Sequence, residues 1–202
     1  MQEEERQRYG SSRLGEACVL ARNLVKAEAG TRFIMISHFG WDLHRKIYEK
    51  EGHYQLCREL DIALASLLSD LEASKTQDGR TLLDKTFICC LGEFGRTPGQ
   101  LTVNQGRDHH KDAFCGVFAG CGTQGGRIIG ATDELGAKVV DPGWQKKRPI
   151  YIEDVAATIY SVMGIDWTKK ITNTPSGRAF EYIENQSGTD FIDPGEISEL
   201  FE

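Results

Sequence analysis

The stretch that decides the predicted fold is residues 32–44, which read RFIMISHFGWDLH. Its first part, residues 32–36, is a short continuous apolar run, which is typical of a strand buried on both faces of a sheet. The run passes directly into a loop that is dense in polar side chains and includes Asp42 and His44. The stretch therefore predicts a buried strand with polar chemistry at its carboxyl end.

The same arrangement recurs further along the chain. Residues 86–91 and 113–119 are two more apolar runs, and each ends in a loop that contains glycine. Apolar side chains at helical spacing predict three helices, over residues 15–29, 54–73 and 152–163. Strands that alternate with helices favour an α/β fold, in which a mostly parallel sheet is sandwiched by helices. In such sheets, ligands bind at the carboxyl ends of the strands.

Length and composition set the broad class. The chain has 202 residues, 27% of them charged, and a formal net charge of −6, which suits a single soluble globular domain. We expect a flexible segment over residues 1–14 and one domain over residues 15–202. The negative charge disfavours a nucleic-acid partner, and no apolar run approaches the roughly 20 residues of a membrane span. Residues 1–10 lack the apolar core of a signal peptide.

Two clusters offer metal-ligating side chains. Asp42 and His44 lie two residues apart just past a predicted strand, and Asp108, His109 and His110 lie together on a glycine-rich loop. Carboxylate oxygens and imidazole nitrogens suit zinc, manganese or iron. Because adjacent side chains usually point in different directions, we expect one of the two adjacent histidines to bind metal and the other not. Either cluster alone is also compatible with hydrogen bonds that only position a loop, or with a solvated loop.

A third cluster, Glu93 and Arg96, follows the strand predicted over residues 86–91. Glu93 is a candidate metal ligand or general base, and Arg96 is a candidate for binding a phosphate or sulfate group. The alternative is a structural ion pair between the two side chains that fixes the turn before Pro98. No serine-hydrolase elbow, P-loop or dinucleotide fingerprint opens a helix in the sequence. Serine-triad hydrolases and nucleotide-binding proteins therefore lack support.

Four short motifs carry a resemblance to a known family. They are GWDLH at residues 40–44, GEFGRTP at 92–98, GRDH at 106–109 and GATDELG at 130–136. In this order they resemble a bacterial family of uncharacterised sulfatase-like proteins of the alkaline-phosphatase-like superfamily, and the resemblance extends over residues 15–202. It implies an alkaline-phosphatase-like fold, of which the chain would be the C-terminal portion. A missing N-terminal part would then supply the nucleophile.

The resemblance also implies a site. Active members of the superfamily hydrolyse or transfer phosphate or sulfate esters at one or two divalent metal ions. By strand order, Asp42 and His44 match metal ligands, His109 or His110 matches the late histidine ligand, and Asp108 joins them. The site prediction takes His109. The implied cofactor is a divalent metal ion: zinc, manganese or calcium. The catalytic roles would fall to Glu93, as a ligand or base, and to Arg96 or Arg107, as a group that stabilises the charge of the transition state.

Two functions follow from these expectations. The first is a metal-dependent hydrolase of small-molecule or glycan phosphate or sulfate esters, of which the chain alone would be inactive. The second is a non-catalytic protein that binds an anionic glycan or a partner protein. Phe94 motivates the second, because superfamily enzymes have a metal-binding histidine there and phenylalanine cannot bind metal. The resemblance further implies export of the full-length protein to the periplasm, and an uncovered sheet edge would favour a homodimer.

Overall fold

The computed structural model describes residues 1–183 and 193–202, and within these it contains four α-helices, eight short strands and two 3-10 helices, Leu83–Lys85 and Ser198–Leu200. The helices are α1 (Glu3–Tyr9), α2 (Arg13–Lys26), α3 (His53–Ala73) and α4 (Ile152–Val162). The strands are β1 (Ile88–Leu91), β2 (Gly95–Arg96), β3 (His109–His110), β4 (Gly116–Ala119), β5 (Ala131–Thr132), β6 (Val139–Asp141), β7 (Lys170–Ile171) and β8 (Phe180–Glu181). The described residues form two compact units, Met1–Thr86 with Leu91–Gly116, and Phe87–Cys90 with Val117–Glu202.

The first unit has a core made by α1, α2 and α3, which pack against one another. The hydroxyl of Ser12 accepts a hydrogen bond from the backbone N–H of Gly15 and caps the start of α2. The apolar stripes of α2 and α3 then meet, because side chains three and four residues apart share a helix face. Buried apolar side chains in this core are Tyr9, Leu14, Cys18, Val19, Ala21, Ala63, Leu67 and Leu71.

A buried carboxylate links the same three helices. Asp70 of α3 accepts hydrogen bonds from the hydroxyl of Tyr9 at 2.7 Å and from the guanidinium of Arg22 at 2.9 Å. Arg8 pairs with the other carboxylate oxygen. Because these donors satisfy the charge of Asp70, the carboxylate can be buried among the helices.

The second unit is organised around Asp154, which lies in the first turn of α4 and is fully buried. Arg148 donates to both of its carboxylate oxygens, at 2.7 and 2.8 Å. The backbone N–H groups of Tyr151 and Gly195 donate to the same two oxygens. Gly164 follows α4 with a φ of +73°, a backbone conformation that glycine adopts without strain and that commonly ends a helix.

The predicted α/β fold with a mostly parallel, alkaline-phosphatase-like sheet sandwiched by helices is wrong. Each sheet in the described residues has only two strands, pairing β1 with β4, β2 with β3, β5 with β6, and β7 with β8. The pairs β2–β3, β5–β6 and β7–β8 are antiparallel. Residues 32–36, predicted to be the first buried strand, lie outside any strand, and the side chains of Phe33 and Met35 are exposed. An apolar run becomes a strand only beside a partner, which local sequence does not supply.

The predictions that depend on local spacing agree better with the structure. The helices predicted over residues 15–29, 54–73 and 152–163 correspond to α2, α3 and α4. Residues 1–14, expected to be flexible, contain α1 and the start of α2. One domain over residues 15–202 stays a prediction, and residues 184–192 of that span lie outside the described residues.

No helix in the described part of the chain combines the length and the apolar character needed to cross a bilayer. The expectation that the chain has no membrane-spanning helix is therefore confirmed for the described residues.

Candidate metal centre

The candidate centre lies in the first unit, where residues 43–47 run beside residues 104–107. Three backbone hydrogen bonds, of 3.0, 2.9 and 3.3 Å, join the two segments. Gly106 is required at this crossing, because a Cβ atom there would lie 2.0 Å from the carbonyl carbon of His44. The close approach fixes His44 against the loop that carries the second predicted cluster.

The antiparallel pair β2–β3 holds the other side of this loop. Arg96 lies directly opposite His109, and the backbone N–H of Thr97 donates to the carbonyl of Asp108 at 2.9 Å. Gly95 is required here, since a Cβ atom would lie 1.9 Å from a backbone carbonyl oxygen. The ribbon therefore sets Arg96 and His109 side by side.

Three ligand-type atoms converge where these segments meet. The Oδ1 atom of Asp42 lies 3.0 Å from Nε2 of His44 and 3.1 Å from Nε2 of His109. The two Nε2 atoms lie 3.1 Å apart, so the three atoms form a nearly equilateral triangle. No other trio of histidine, cysteine, aspartate or glutamate side chains converges in this way within residues 1–183 and 193–202.

The size of this triangle suits a metal ion. With metal–ligand distances of about 2.1 Å, ligands at right angles lie about 3.0 Å apart and tetrahedral ligands lie about 3.4 Å apart. The observed spacings of 3.0 to 3.1 Å are closer to right angles. The triad therefore has the dimensions of three adjacent ligands on one face of an octahedral site.

Asp108 orients one of the ligands. Its Oδ1 atom lies 3.0 Å from Nδ1 of His44. Because a carboxylate only accepts, this contact places the proton of a neutral His44 ring on Nδ1 and leaves the lone pair of Nε2 facing the triangle. Histidine ligands of metals generally make such a contact through their second nitrogen. Asp108 is thus placed to position His44 and is not a member of the triad.

Arg96 supplies positive charge beside the triad. Its Nη2 atom donates to Oδ1 of Asp42 at 2.6 Å. This hydrogen bond, followed by the one from His109, lowers the pKa of the Asp42 carboxyl group to about 2. Asp42 is therefore a carboxylate, the form that binds metal, at every physiological pH.

The structure unites some predicted site residues and separates others. Asp42, His44 and His109 meet in the triad, whereas His110 is not part of it. Glu93 is exposed, and no hydrogen bond or ion pair joins it to any other described residue. The alternative of a Glu93–Arg96 ion pair is wrong, because Arg96 pairs with Asp42 instead.

Phe94 has a structural role that sequence reasoning missed. Its ring centroid lies 4.2 Å from that of His109, and the guanidinium of Arg96 lies 5.7 Å from its centre. The Phe94 ring thus contacts His109 of the triad and also Arg96, which is hydrogen-bonded to Asp42. The motif around Gly95 contained the residue, but only the tertiary structure reveals what the ring touches.

Comparison with known proteins identifies a family. A family described as a protein of unknown function, DUF1501, matches residues 1–190. No curated protein and no solved structure matches the chain. The resemblance to sulfatase-like proteins of the alkaline-phosphatase-like superfamily is therefore corrected, because the matching family carries no indication of that superfamily. Since the match covers most of its length, the chain belongs to the DUF1501 family.

Proposed function

We propose that the chain binds one divalent metal ion through Asp42, His44 and His109 and uses it to hydrolyse phosphate or sulfate esters. The observation that carries the proposal is the triangle of ligand-type atoms with sides of 3.0 to 3.1 Å. The contact between Asp108 and His44 supports it, because that contact presents Nε2 of His44 as an acceptor.

The ligand set narrows the choice of metal. Two imidazole nitrogens and one carboxylate oxygen suit manganese, iron or zinc, whereas calcium is bound by oxygen ligands alone. The near-right-angle spacing favours an ion that accepts six ligands, such as manganese. Of the three cofactors expected from the sequence, we propose manganese or zinc over calcium.

The surroundings of the triad suit an anionic ester. The side chains of Asp42, His44 and His109 are 64%, 41% and 50% exposed, so a substrate has access to the centre. A bound divalent ion would polarise an ester oxygen and make water more acidic. Arg96, beside Asp42, would offset the charge that develops on the ester oxygens during hydrolysis. Small-molecule or glycan esters of phosphate or sulfate have this chemistry.

A second candidate is binding of an anionic glycan or partner without turnover. It is favoured by Glu93, the candidate general base, which is exposed and outside the triad. Without a general base at the centre, no side chain would take a proton from an attacking water molecule. The metal-loaded triad and Arg96 would then bind an anion without hydrolysing it. Turnover distinguishes the two candidates.

The metal assignment is tested by elemental analysis of the dialysed chain after incubation with manganese or zinc. We expect about one equivalent of metal in the wild type and loss of metal from Asp42→Ala and His109→Ala, because each substitution removes one of three ligands. His110→Ala is the matched control and should retain the metal. Stoichiometric metal in His109→Ala would overturn the assignment.

The reaction is tested with aryl phosphate and aryl sulfate esters. We expect hydrolysis that requires added metal, stops with a chelator and is lost in Asp42→Ala. Metal binding without turnover of any ester would favour the second candidate.

A further inference from the structure

Arg96 and the triad share one atom. The Oδ1 atom of Asp42 accepts a hydrogen bond from Nη2 of Arg96 at 2.6 Å, and the same oxygen forms one corner of the triangle with His44 and His109. A metal ion bound by the triad would therefore draw on the carboxylate oxygen that Arg96 now contacts. Two cations on one oxygen repel each other, and each weakens the hold of the other.

Arg96 is held in place by more than Asp42. Its Nη1 atom donates to the carbonyl oxygen of Arg107 at 3.3 Å, and its guanidinium lies against the ring of Phe94. Its side chain is only 20% exposed. An Arg96 that loses its bond to Asp42 thus stays beside the triad rather than moving into solvent.

An oxyanion would suit the freed donor of Arg96. Guanidinium groups bind tetrahedral oxyanions through parallel N–H donors. A phosphate or sulfate group that reaches the exposed triad would bring an oxygen near Arg96. The contact that Arg96 makes with Asp42 would then be exchanged for one with the anion.

We propose that Arg96 is an anion-binding residue that metal binding releases, so that metal must bind before the phosphate or sulfate group does. This inference rests on the proposed metal centre. It adds an order of binding and gives Arg96 two opposed effects. In the metal-free chain, Arg96 competes with metal for Asp42. In the metal-loaded chain, it binds the anion.

The test measures both affinities by isothermal titration calorimetry, with manganese and with inorganic phosphate as probes. Arg96→Gln removes the charge, and Arg96→Lys keeps the charge but removes the fork of donors. Arg80→Gln is the matched control, since Arg80 also pairs with an aspartate, Asp78, on the surface of the same unit. Circular dichroism and the thermal midpoint verify that each variant is folded.

We expect Arg96→Gln to bind manganese more tightly than the wild type and, when metal-loaded, to bind phosphate at least about tenfold more weakly. Arg96→Lys should fall between the two, and the control should match the wild type. Without metal, phosphate should bind no better to the wild type than to Arg96→Gln.

Several outcomes would overturn the inference. Equal phosphate affinity in the metal-loaded wild type and Arg96→Gln would show that Arg96 does not bind the anion. Weaker manganese binding by Arg96→Gln would show that Arg96 only positions Asp42. Either result leaves the metal centre intact, whereas a wild type that binds no metal overturns the proposed function as well.

Discussion

Asp42 and Asp70 belong to the same unit, and both lie against arginine side chains. In both, the pKa of the carboxyl group is lowered to about 2. They differ in surroundings, because the side chain of Asp70 is 10% exposed and that of Asp42 is 64% exposed. The partners of Asp70 on α1 and α2 only donate hydrogen bonds to it, whereas Asp42 also lies beside the Nε2 atoms of two histidines, which are metal-ligating atoms.

The two lowered pKa values have different causes. Burial alone would raise the pKa of Asp70, and hydrogen bonds from Arg8, Tyr9 and Arg22 outweigh that effect. For Asp42, the hydrogen bond from Arg96 comes first. A carboxyl group with a lowered pKa therefore does not by itself mark a functional site. Exposure and converging imidazole nitrogens set the metal-binding candidate apart from the structural carboxylate.

The largest effect should come from removing the structural carboxylate. We expect Asp70→Ala to lower the free energy of unfolding by about 3 kcal/mol, because Arg22 is then left buried without its main counter-charge. Urea denaturation of the metal-free chain measures this. Asp42→Ala is the control and should leave the free energy of unfolding nearly unchanged, since its ion pair is exposed. Equal losses in the two variants would break the distinction.

A smaller effect should appear in the pH dependence of stability. The folded-state pKa of Asp70, about 2, is below its unfolded value of about 3.9. Its contribution, about 2 kcal/mol, is therefore present above pH 5 and is lost as the pH falls through 2. We expect about half of this contribution to be lost at pH 3. Between pH 7 and pH 3, the free energy of unfolding should therefore fall by about 1 kcal/mol less in Asp70→Asn than in the wild type. An unchanged difference in urea denaturation would contradict this.

The last effect concerns metal affinity and should come from the residue that positions a ligand. In Asp108→Asn, a neutral amide replaces the carboxylate that orients the His44 ring. We therefore expect manganese affinity to fall about tenfold while the fold is unchanged. Asp112→Asn is the control, because Asp112 pairs with the neighbouring Lys111 on the surface. Complete loss of metal from Asp108→Asn would instead make Asp108 a ligand, as the sequence suggested.

The site was more predictable than the fold. Asp42, His44 and His109 were identified from residue type and from their position in short polar loops. Their convergence was expected from a parallel sheet edge, yet the structure brings them together through the β2–β3 ribbon and the backbone bonds between residues 43–47 and 104–107. The three side chains do meet, but for a different topological reason from the one that the sequence suggested.

The sequence by itself determined the helices α2, α3 and α4 and the identity of the ligand-type side chains. Helical spacing is a local property, because each turn contacts residues three and four positions away. Only the tertiary structure decided that Arg96 pairs with Asp42 rather than Glu93, that Asp108 supports His44, and that the apolar run at residues 32–36 lies outside any strand. These outcomes depend on contacts between residues more than fifty positions apart, or on a strand partner elsewhere in the chain, and no local pattern encodes them.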